Sequence, residues 1–214
     1  MDYIADSDAV TVSDIGGGST DFVYFQDNKP VVANSVHFGC DVLWENGFNA
    51  FGNARDNGIF KRYADTIRFE RQDLEDLNES FKNVDAVKTK DIINFWLGNE
   101  QYCGIIKSLR TDFKPVFVYH FTSILFYMAN MYKDNGLVAP RTVVFSGNGS
   151  KYIDNFISTE YEVLEKIINT VFGKVFGGTH NINLKLPEER KESTCYGGLY
   201  RDPSAPKVKD VVYQ

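Results

Sequence analysis

Apolar residues near the start of the chain come in short runs that turn residues interrupt. β-rich runs occupy Ala9–Ile15 and residues 22–26 and 31–38, separated by a glycine turn at 16–18 and a polar stretch at 27–30. Short runs bounded by Gly, Pro, Asn and Asp are typical of strands joined by tight turns. The pattern therefore predicts three consecutive antiparallel strands.

Helical spacing dominates much of the second half of the chain. Residues 113–133 and 152–172 repeat apolar side chains at three- and four-residue intervals. The first of these segments ends at Asn135 and Gly136, a pair typical of a helix C-terminus. We therefore expect two helices here, the first packing on the sheet, and a short last helix at 192–201.

Two further strands are predicted among these helices. Residues 142–145 form a short, fully apolar run that stops at a glycine-rich turn, which is typical of a buried strand. Residues 181–186 alternate between apolar and polar side chains. Three strands, a helical region, and then alternating strands and helices predict a mixed α/β layer architecture.

The region between these two parts is polar and charged. Residues 62–104 contain short helical patterns, such as 74–81 and 89–97, and no motif. We interpret this region as an inserted lobe of a single domain. We expect the chain to consist of a core at about 6–45 and 113–201, an inserted helical lobe at about 46–112 and a tail at 202–214.

Composition favours a globular domain and argues against a nucleic-acid-binding or membrane-spanning protein. The 214 residues are 43% apolar and 24% charged, which is near the average for globular domains. A net charge of -6 lacks the clustered Lys and Arg that bind a nucleic-acid backbone, so nucleic acid is excluded as a partner. The most apolar stretch, residues 116–131, includes His120 and is too short for a membrane span, so we expect a buried helix.

Cysteine usage and the first residues bear on location. Cys40, Cys103 and Cys195 are odd in number and widely spaced, which fits neither a disulfide framework nor a zinc site. Residues 1–8 have neither the basic nor the apolar region of a signal peptide. A reducing, cytoplasmic location is expected.

The sharpest motif lies between the first two predicted strands. It reads Asp14, Ile15, Gly16, Gly17, Gly18, Ser19, Thr20, Asp21. Three glycines allow positive φ and a close approach of the backbone to a ligand, and successive amides in such a turn can form an anion-binding nest. Each charge-assisted hydrogen bond to a phosphate oxygen would contribute about 1.5–3 kcal/mol.

The flanking residues extend this interpretation to catalysis. Asp14 can hold a magnesium ion through its water shell, and Asp21 can orient or deprotonate a water that attacks a terminal phosphate. Ser19 and Thr20 can add hydroxyl contacts. A glycine-rich hairpin with acidic flanks and no ligand is the plain alternative. The Walker P-loop and the dinucleotide fingerprint are both absent.

The hairpin resembles the second phosphate motif of the actin, heat-shock chaperone and sugar-kinase ATPase superfamily, and is closest in form to bacterial actin homologues of cell division and shape. Residues 143–151 resemble the adenosine motif of that superfamily, an apolar strand that ends in a turn of small residues. Residues 36–41 resemble the segment after its third strand, where Gly39 begins the next helix.

The resemblance implies a fold and a set of ligands. The fold is a ribonuclease H-like, actin-type ATPase domain with a five-stranded mixed sheet flanked by helices and an inserted helical lobe. ATP and magnesium are the implied ligands. The backbone of residues 16–18 would hold the β- and γ-phosphates. The turn would approach the nucleoside through Gly147, Asn148, Gly149 and Ser150, with Lys151 against adenine. Asn148 departs from the family, which commonly has a second glycine there.

The resemblance also implies that the chain is half of an enzyme. The superfamily builds its site between two domains, and only thirteen residues precede Asp14, with no second hairpin of this kind downstream. We expect ATP hydrolysis only if a first domain, from the same parent chain or a partner, completes the site.

Two alternatives stay open beside the ATPase half. One is a non-catalytic actin-like scaffold or filament subunit that forms homo-oligomers. The other is a phosphatase or sugar-kinase relative, since polyphosphate phosphatases share a similar hairpin. The nucleoside-like turn at Gly147 argues against a polyphosphate enzyme.

The remaining chemistry-bearing residues are interpreted as structural. His37, His120 and His180 are too scattered for a triad or a metal site, so each is expected to be structural or solvent-facing. Cys40 has no His or Asn at a spacing that supports a nucleophile, so a buried thiol is expected.

Overall fold

The computed structural model describes residues 9–44, 97–98, 100 and 110–191. Most of the predicted lobe at 46–112, and the predicted helix at 192–201 with the tail at 202–214, lie outside the described residues.

The predicted antiparallel strands are confirmed. They are β1 (Ala9–Ile15), β2 (Thr20–Gln26) and β3 (Lys29–Val36). β1 pairs with β2 and β2 with β3, both antiparallel, with a register irregularity at Tyr24 and Phe25. β3 begins and ends two residues earlier than predicted and includes Pro30. A proline that cannot donate to a ladder is tolerated there because β3 is an edge strand.

The rest of the described chain alternates helices and strands. It comprises α1 (Asp41–Trp44), α2 (Arg110–Asp134), β4 (Thr142–Ser146), a 3₁₀ helix (Asn148–Lys151), a π helix (Ile153–Ile157), α3 (Tyr161–Phe176) and β5 (Asn183–Lys185). The long helix predicted at 113–133, the buried strand at 142–145 and the strand at 181–186 are therefore confirmed, with small differences at their ends.

The prediction of a single helix over residues 152–172 is wrong. The chain leaves helical geometry at Ser158, whose φ and ψ are −160° and 141°, and α3 starts only at Tyr161. The Ser158 hydroxyl accepts a hydrogen bond from the Glu160 amide at 3.1 Å. Serine competes in this way with the helical hydrogen-bond pattern, so it favours a boundary over a helix interior.

The five strands form one mixed sheet in the order β3-β2-β1-β4-β5. β4 is parallel to both of its neighbours, β1 and β5. α2 packs on one face of the sheet, where Phe121 contacts the Phe145 ring and Tyr132 contacts the Tyr24 ring. α3 packs beside α2. The predicted α/β class is confirmed, with the core between the sheet and these two helices.

Within the described part of the chain, no helix combines the length and apolarity needed to cross a membrane.

Candidate functional site

Two sequence motifs meet because β1 and β4 are parallel neighbours. Asp14, near the end of β1, pairs with Ser146, the last residue of β4. The carboxyl ends of parallel strands lie at the same edge of a sheet, so the loop after β1 and the turn after β4 leave it side by side. We call residues 16–19 the hairpin loop and residues 147–150 the glycine turn.

The glycine turn packs directly on the hairpin loop. A Cβ on Gly149 would lie 2.6 Å from the Ile15 carbonyl oxygen and 2.9 Å from that of Gly16. A Cβ on Gly147 would lie 2.2 Å from Asp14 Oδ1, and Gly147 also has a φ of 78°. These two glycines are therefore required by contact between two parts of the chain. The resemblance had implied that they approach a nucleoside.

The other side of the hairpin loop is held by the start of α1. A Cβ on Gly39 would lie 2.1 Å from the Gly17 carbonyl oxygen, so no other residue fits. The Cys40 amide donates to the Gly16 carbonyl at 2.9 Å and the Asp41 amide donates to the Gly17 carbonyl at 2.8 Å. The carbonyls of the loop therefore point toward α1.

This arrangement fixes the direction of two amides. In a trans peptide, the carbonyl of one residue and the N–H of the next point in opposite directions. Since the carbonyls of Gly16 and Gly17 point toward α1, the N–H groups of Gly17 and Gly18 both point away from it. Among the described residues, neither amide donates to a backbone acceptor. Gly18 is exposed, with open space around its Cβ position.

The glycines of the loop do not use positive φ. The described glycines with positive φ are Gly136, Gly147, Gly177 and Gly178. The expectation of positive φ at Gly16, Gly17 and Gly18 is therefore wrong. Close packing requires glycine on the neighbouring segments instead, most clearly at Gly39, whose Cβ would lie 2.1 Å from the Gly17 carbonyl oxygen.

The two predicted hydroxyl contacts differ in their surroundings. Thr20, predicted to contact phosphate, is buried, and its hydroxyl donates to the Phe38 carbonyl at 2.8 Å. Ser19 is half-buried, and its carbonyl accepts the Gly16 amide at 2.9 Å, which closes the loop.

Two carboxylates lie at the base of the hairpin loop. Asp21 pairs directly with Asp14, and the row continues to Ser35 on β3 and Ser146 on β4. Directly opposite residues share one face of a sheet, where like charges repel. Asp14 is half-buried and Asp21 is exposed. The described residues contain no group of three or more metal-ligating side chains.

A buried arginine supports the glycine turn. Arg190 is 5% exposed; its carbonyl accepts the Gly147 amide at 3.0 Å, and its guanidinium forms an ion pair with Asp154. Ser150 is buried and its hydroxyl donates to the Gly147 carbonyl at 2.8 Å. Ser150 therefore serves the turn itself. Sequence reasoning missed Arg190, because its neighbours Glu188, Glu189 and Lys191 give that stretch the composition of a solvated surface.

The outward side of the turn consists of other residues. Asn148 and Lys151 begin and end the 3₁₀ helix, and both are half-buried. Of the turn residues predicted to face a nucleoside, these two keep a partly open side chain.

His120 lies behind both motifs and is fully buried. Its Nε2 lies 3.1 Å from the Gly39 carbonyl oxygen and its Nδ1 lies 2.8 Å from the Tyr152 hydroxyl. Burial lowers the pKa of His120 to about 4, so it is neutral at physiological pH. A carbonyl only accepts, so Nε2 carries the proton and Nδ1 accepts from Tyr152. The structural interpretation of His120 is confirmed.

The other two histidines and the nearest cysteine also agree with the sequence analysis. His37 is exposed, and His180 is half-buried with Nε2 at 3.0 Å from the Gly177 carbonyl oxygen. Cys40 is buried and forms no disulfide.

No protein-family model and no curated protein matches this chain. Among solved structures, it is similar to a chain of the PilM–PilN type IV pilus biogenesis complex, with 15% identity and a TM-score of 0.39 over 84% of this chain and 35% of that one. It is also similar to a Bacillus thuringiensis ParM hybrid protein with ADP, containing two ParM mutants, with 11% identity and a TM-score of 0.27 over 90% of this chain and 24% of that one. This chain thus spans about a third of the length of the first neighbour and about a quarter of the length of the second. TM-scores this low carry no inference.

Proposed function

We propose that the chain binds magnesium ATP where the hairpin loop and the glycine turn meet, as one half of an actin-like ATPase of ribonuclease H-like fold. The observation that carries the proposal is the pair of parallel amides at Gly17 and Gly18, beside the carboxylates of Asp14 and Asp21. The five-stranded mixed sheet flanked by helices agrees with the fold that the motif resemblance implies.

The amides would bind the terminal phosphates. Two parallel N–H groups resemble the free end of a helix, which attracts anions. With about 1.5–3 kcal/mol for each charge-assisted hydrogen bond, two such donors contribute a useful part of the affinity. The amides are fixed in place because the carbonyls on their far side are held by Cys40 and Asp41.

The carboxylates would hold the cation. Magnesium usually keeps several waters and takes one or two carboxylates together with substrate phosphates, which fits two aspartates in neighbouring strands. When bound, it neutralises charge on the phosphates. Asp14 would contact its water shell. Asp21, the more exposed carboxylate, would orient the attacking water or accept its proton.

The nucleoside would lie against the outward side of the glycine turn. Asn148 and Lys151 have partly open side chains there, and Ser150 and the two glycines position them from behind. We further propose that hydrolysis requires a second domain that faces this edge, since an actin-type site takes a phosphate hairpin from each of two domains. A cytoplasmic location and a cytoskeletal or cell-division role belong to the same proposal.

Calorimetric titration of the chain with ATP and magnesium tests the proposal. Asp14→Asn keeps the shape of the side chain and removes its charge, so magnesium-dependent affinity should fall about tenfold or more. Asp134→Asn changes an exposed carboxylate at the end of α2 and should leave the affinity unchanged. Absence of binding by the unaltered chain, or equal binding by both variants, would contradict the proposal.

A phosphatase-like ligand without a nucleoside is the second candidate. It is favoured by one observation: the turn glycines are used for packing against Asp14 and Ile15. Titration with magnesium tripolyphosphate decides between the two. Affinity equal to that for magnesium ATP would favour the polyphosphate, whereas a clear preference for ATP would assign the turn to the nucleoside.

A further inference from the structure

We infer that His120 is a positioning residue that holds the hairpin loop and the glycine turn in fixed relation, through hydrogen bonds to Gly39 on one side and Tyr152 on the other. The inference rests on the proposed function, because it concerns how the two halves of that site keep their geometry. His120 itself would touch neither nucleotide nor cation.

On the side of the hairpin loop, His120 bonds a residue that packs directly against the loop. The His120 Nε2–H group donates to the carbonyl of Gly39, whose Cα packs against the Gly17 carbonyl. The next two amides, of Cys40 and Asp41, hold the loop carbonyls. A shift of the Gly39 peptide would therefore move the acceptors that fix the direction of the Gly17 and Gly18 amides.

The contact on the other side is equally direct. Tyr152 follows Lys151, the last residue of the 3₁₀ helix, and its own amide donates to the carbonyls of Gly149 and Ser150. Its hydroxyl donates to His120 Nδ1 at 2.8 Å. Burial raises the pKa of the Tyr152 hydroxyl, so that it stays protonated and able to donate.

The ring of His120 is held so that both hydrogen bonds are satisfied at once. Phe38 stacks on it at a centroid distance of 4.7 Å and the Tyr152 ring meets it edge-on at 5.4 Å. His120 is fully buried, so no water competes for its two nitrogens. A neutral imidazole offers one donor and one acceptor, which matches one carbonyl and one hydroxyl.

The test compares two tyrosines that differ in position and not in chemistry. Tyr152 and Tyr132 are both fully buried, and each hydroxyl bonds a polar side chain, His120 for Tyr152 and Thr11 for Tyr132. Thr11 lies in the middle of β1, away from the site. Tyr152→Phe should weaken binding of magnesium ATP about tenfold, whereas Tyr132→Phe should destabilise the fold and leave the affinity unchanged.

A double variant separates positioning from stability. In His120→Phe with Tyr152→Phe, the His–Tyr pair becomes apolar together and the Gly39 carbonyl loses its donor, so stability should stay close to that of Tyr152→Phe alone, in which Nδ1 of His120 loses its donor. Affinity should stay about tenfold below that of the unaltered chain, since Gly39 and the turn are no longer joined. Affinity equal to that of the unaltered chain in the double variant would overturn the inference, as would equal affinity losses in Tyr152→Phe and Tyr132→Phe.

Amide hydrogen exchange of the nucleotide-free chain keeps the inference distinct from the proposed function. Tyr152→Phe should speed exchange of the Cys40 and Asp41 amides by more than its loss of global stability accounts for, and Tyr132→Phe should not. If the unaltered chain binds no nucleotide, the proposed function is wrong. The exchange difference would still support the link between the hairpin loop and the glycine turn through His120. Unchanged exchange at both amides in Tyr152→Phe would overturn the link even if the chain binds ATP.

Discussion

The loop between β1 and β2 and the turn between β2 and β3 both reverse the chain between antiparallel strands, yet they do so with different backbones. The second turn places Asp27 and Asn28 at φ of 50° and 60°, and both residues are exposed. The first loop contains Gly16, Gly17 and Gly18, none of them at positive φ, and other parts of the chain pack on both of its sides.

The comparison shows how the first loop differs from a plain hairpin turn. A plain hairpin needs left-handed residues, and Asp or Asn can supply them at modest cost, as the second turn does. The first loop is instead packed against Gly39 and Gly149 and turns two amides outward. This disfavours the interpretation as a hairpin with no ligand, because segments packed on both sides and two outward amides go beyond what chain reversal needs.

The packing on the first loop predicts the largest effect for Gly39→Ala. The new Cβ would lie 2.1 Å from a backbone oxygen that cannot move away without breaking the loop. We expect a loss of about 4 kcal/mol or more in the free energy of unfolding, or failure to fold. Gly136→Ala is the control: its Cβ position is open, so only its φ of 70° should cost about 1–2 kcal/mol. Urea denaturation measures both, and similar losses would contradict the packing argument.

The burial of His120 behind the first loop predicts that the stability of the fold depends on pH. Burial lowers the pKa of His120 from 6.5 to about 4, so between these values the unfolded chain binds a proton that the folded chain does not. The contribution of His120 to the free energy of unfolding is fully present above about pH 6.5. The free energy of unfolding should decrease by about 3 kcal/mol as pH falls toward 4.

Denaturation midpoints at several pH values check this prediction. The pH-dependent part between 4 and 6.5 should be absent in His120→Phe, although that variant is less stable at neutral pH. Retention of the full dependence in His120→Phe would assign it to other groups.

The second turn predicts a small gain. Asn28→Gly removes the cost of a left-handed side chain at φ 60°, and the sequence becomes Asp-Gly, which turns with two left-handed residues favour. We expect a stabilisation of about 0.5–1 kcal/mol by thermal denaturation. A destabilisation would show that the Asn28 side chain contributes a contact of its own.

The smallest effect is expected at the tip of the first loop. Gly18→Ala adds a methyl group where no atom lies within 4 Å, and Gly18 has no positive φ. The free energy of unfolding should change by less than about 0.5 kcal/mol in the same denaturation assay. A large loss would mean that the loop is held at Gly18 as well as at Gly17.

Local patterns predicted much of the fold. β1 and the helix at 113–133 follow from residues that are neighbours in sequence, and the meeting of the two motifs follows from the resemblance. The break at Ser158 was missed because a run of apolar residues at helical spacing continues across it. The strand ends near Pro30 depend on which strand lies at the edge, a property of the whole sheet.

The sequence identified residues of the candidate site from their chemical type, but it did not predict what several of them contact. Thr20 and Ser150 carry suitable hydroxyls, and both are used within the chain, by Phe38 and Gly147. The burial of Arg190 and the two-sided contact of His120 depend on residues far away in sequence. Spacing within a motif does not encode such partners, so these residues could be identified only in three dimensions.

The parallel pairing of β1 with β4 has a consequence during synthesis. Ser146 donates to the carbonyl of Ser13, and 133 positions separate the two in the sequence. At a translation rate of about 5–20 residues per second, the first hairpin leaves the ribosome on the order of ten seconds before its neighbour is made. Until then the loop lacks the turn that packs on it, so the candidate site stays incomplete until the glycine turn has been made.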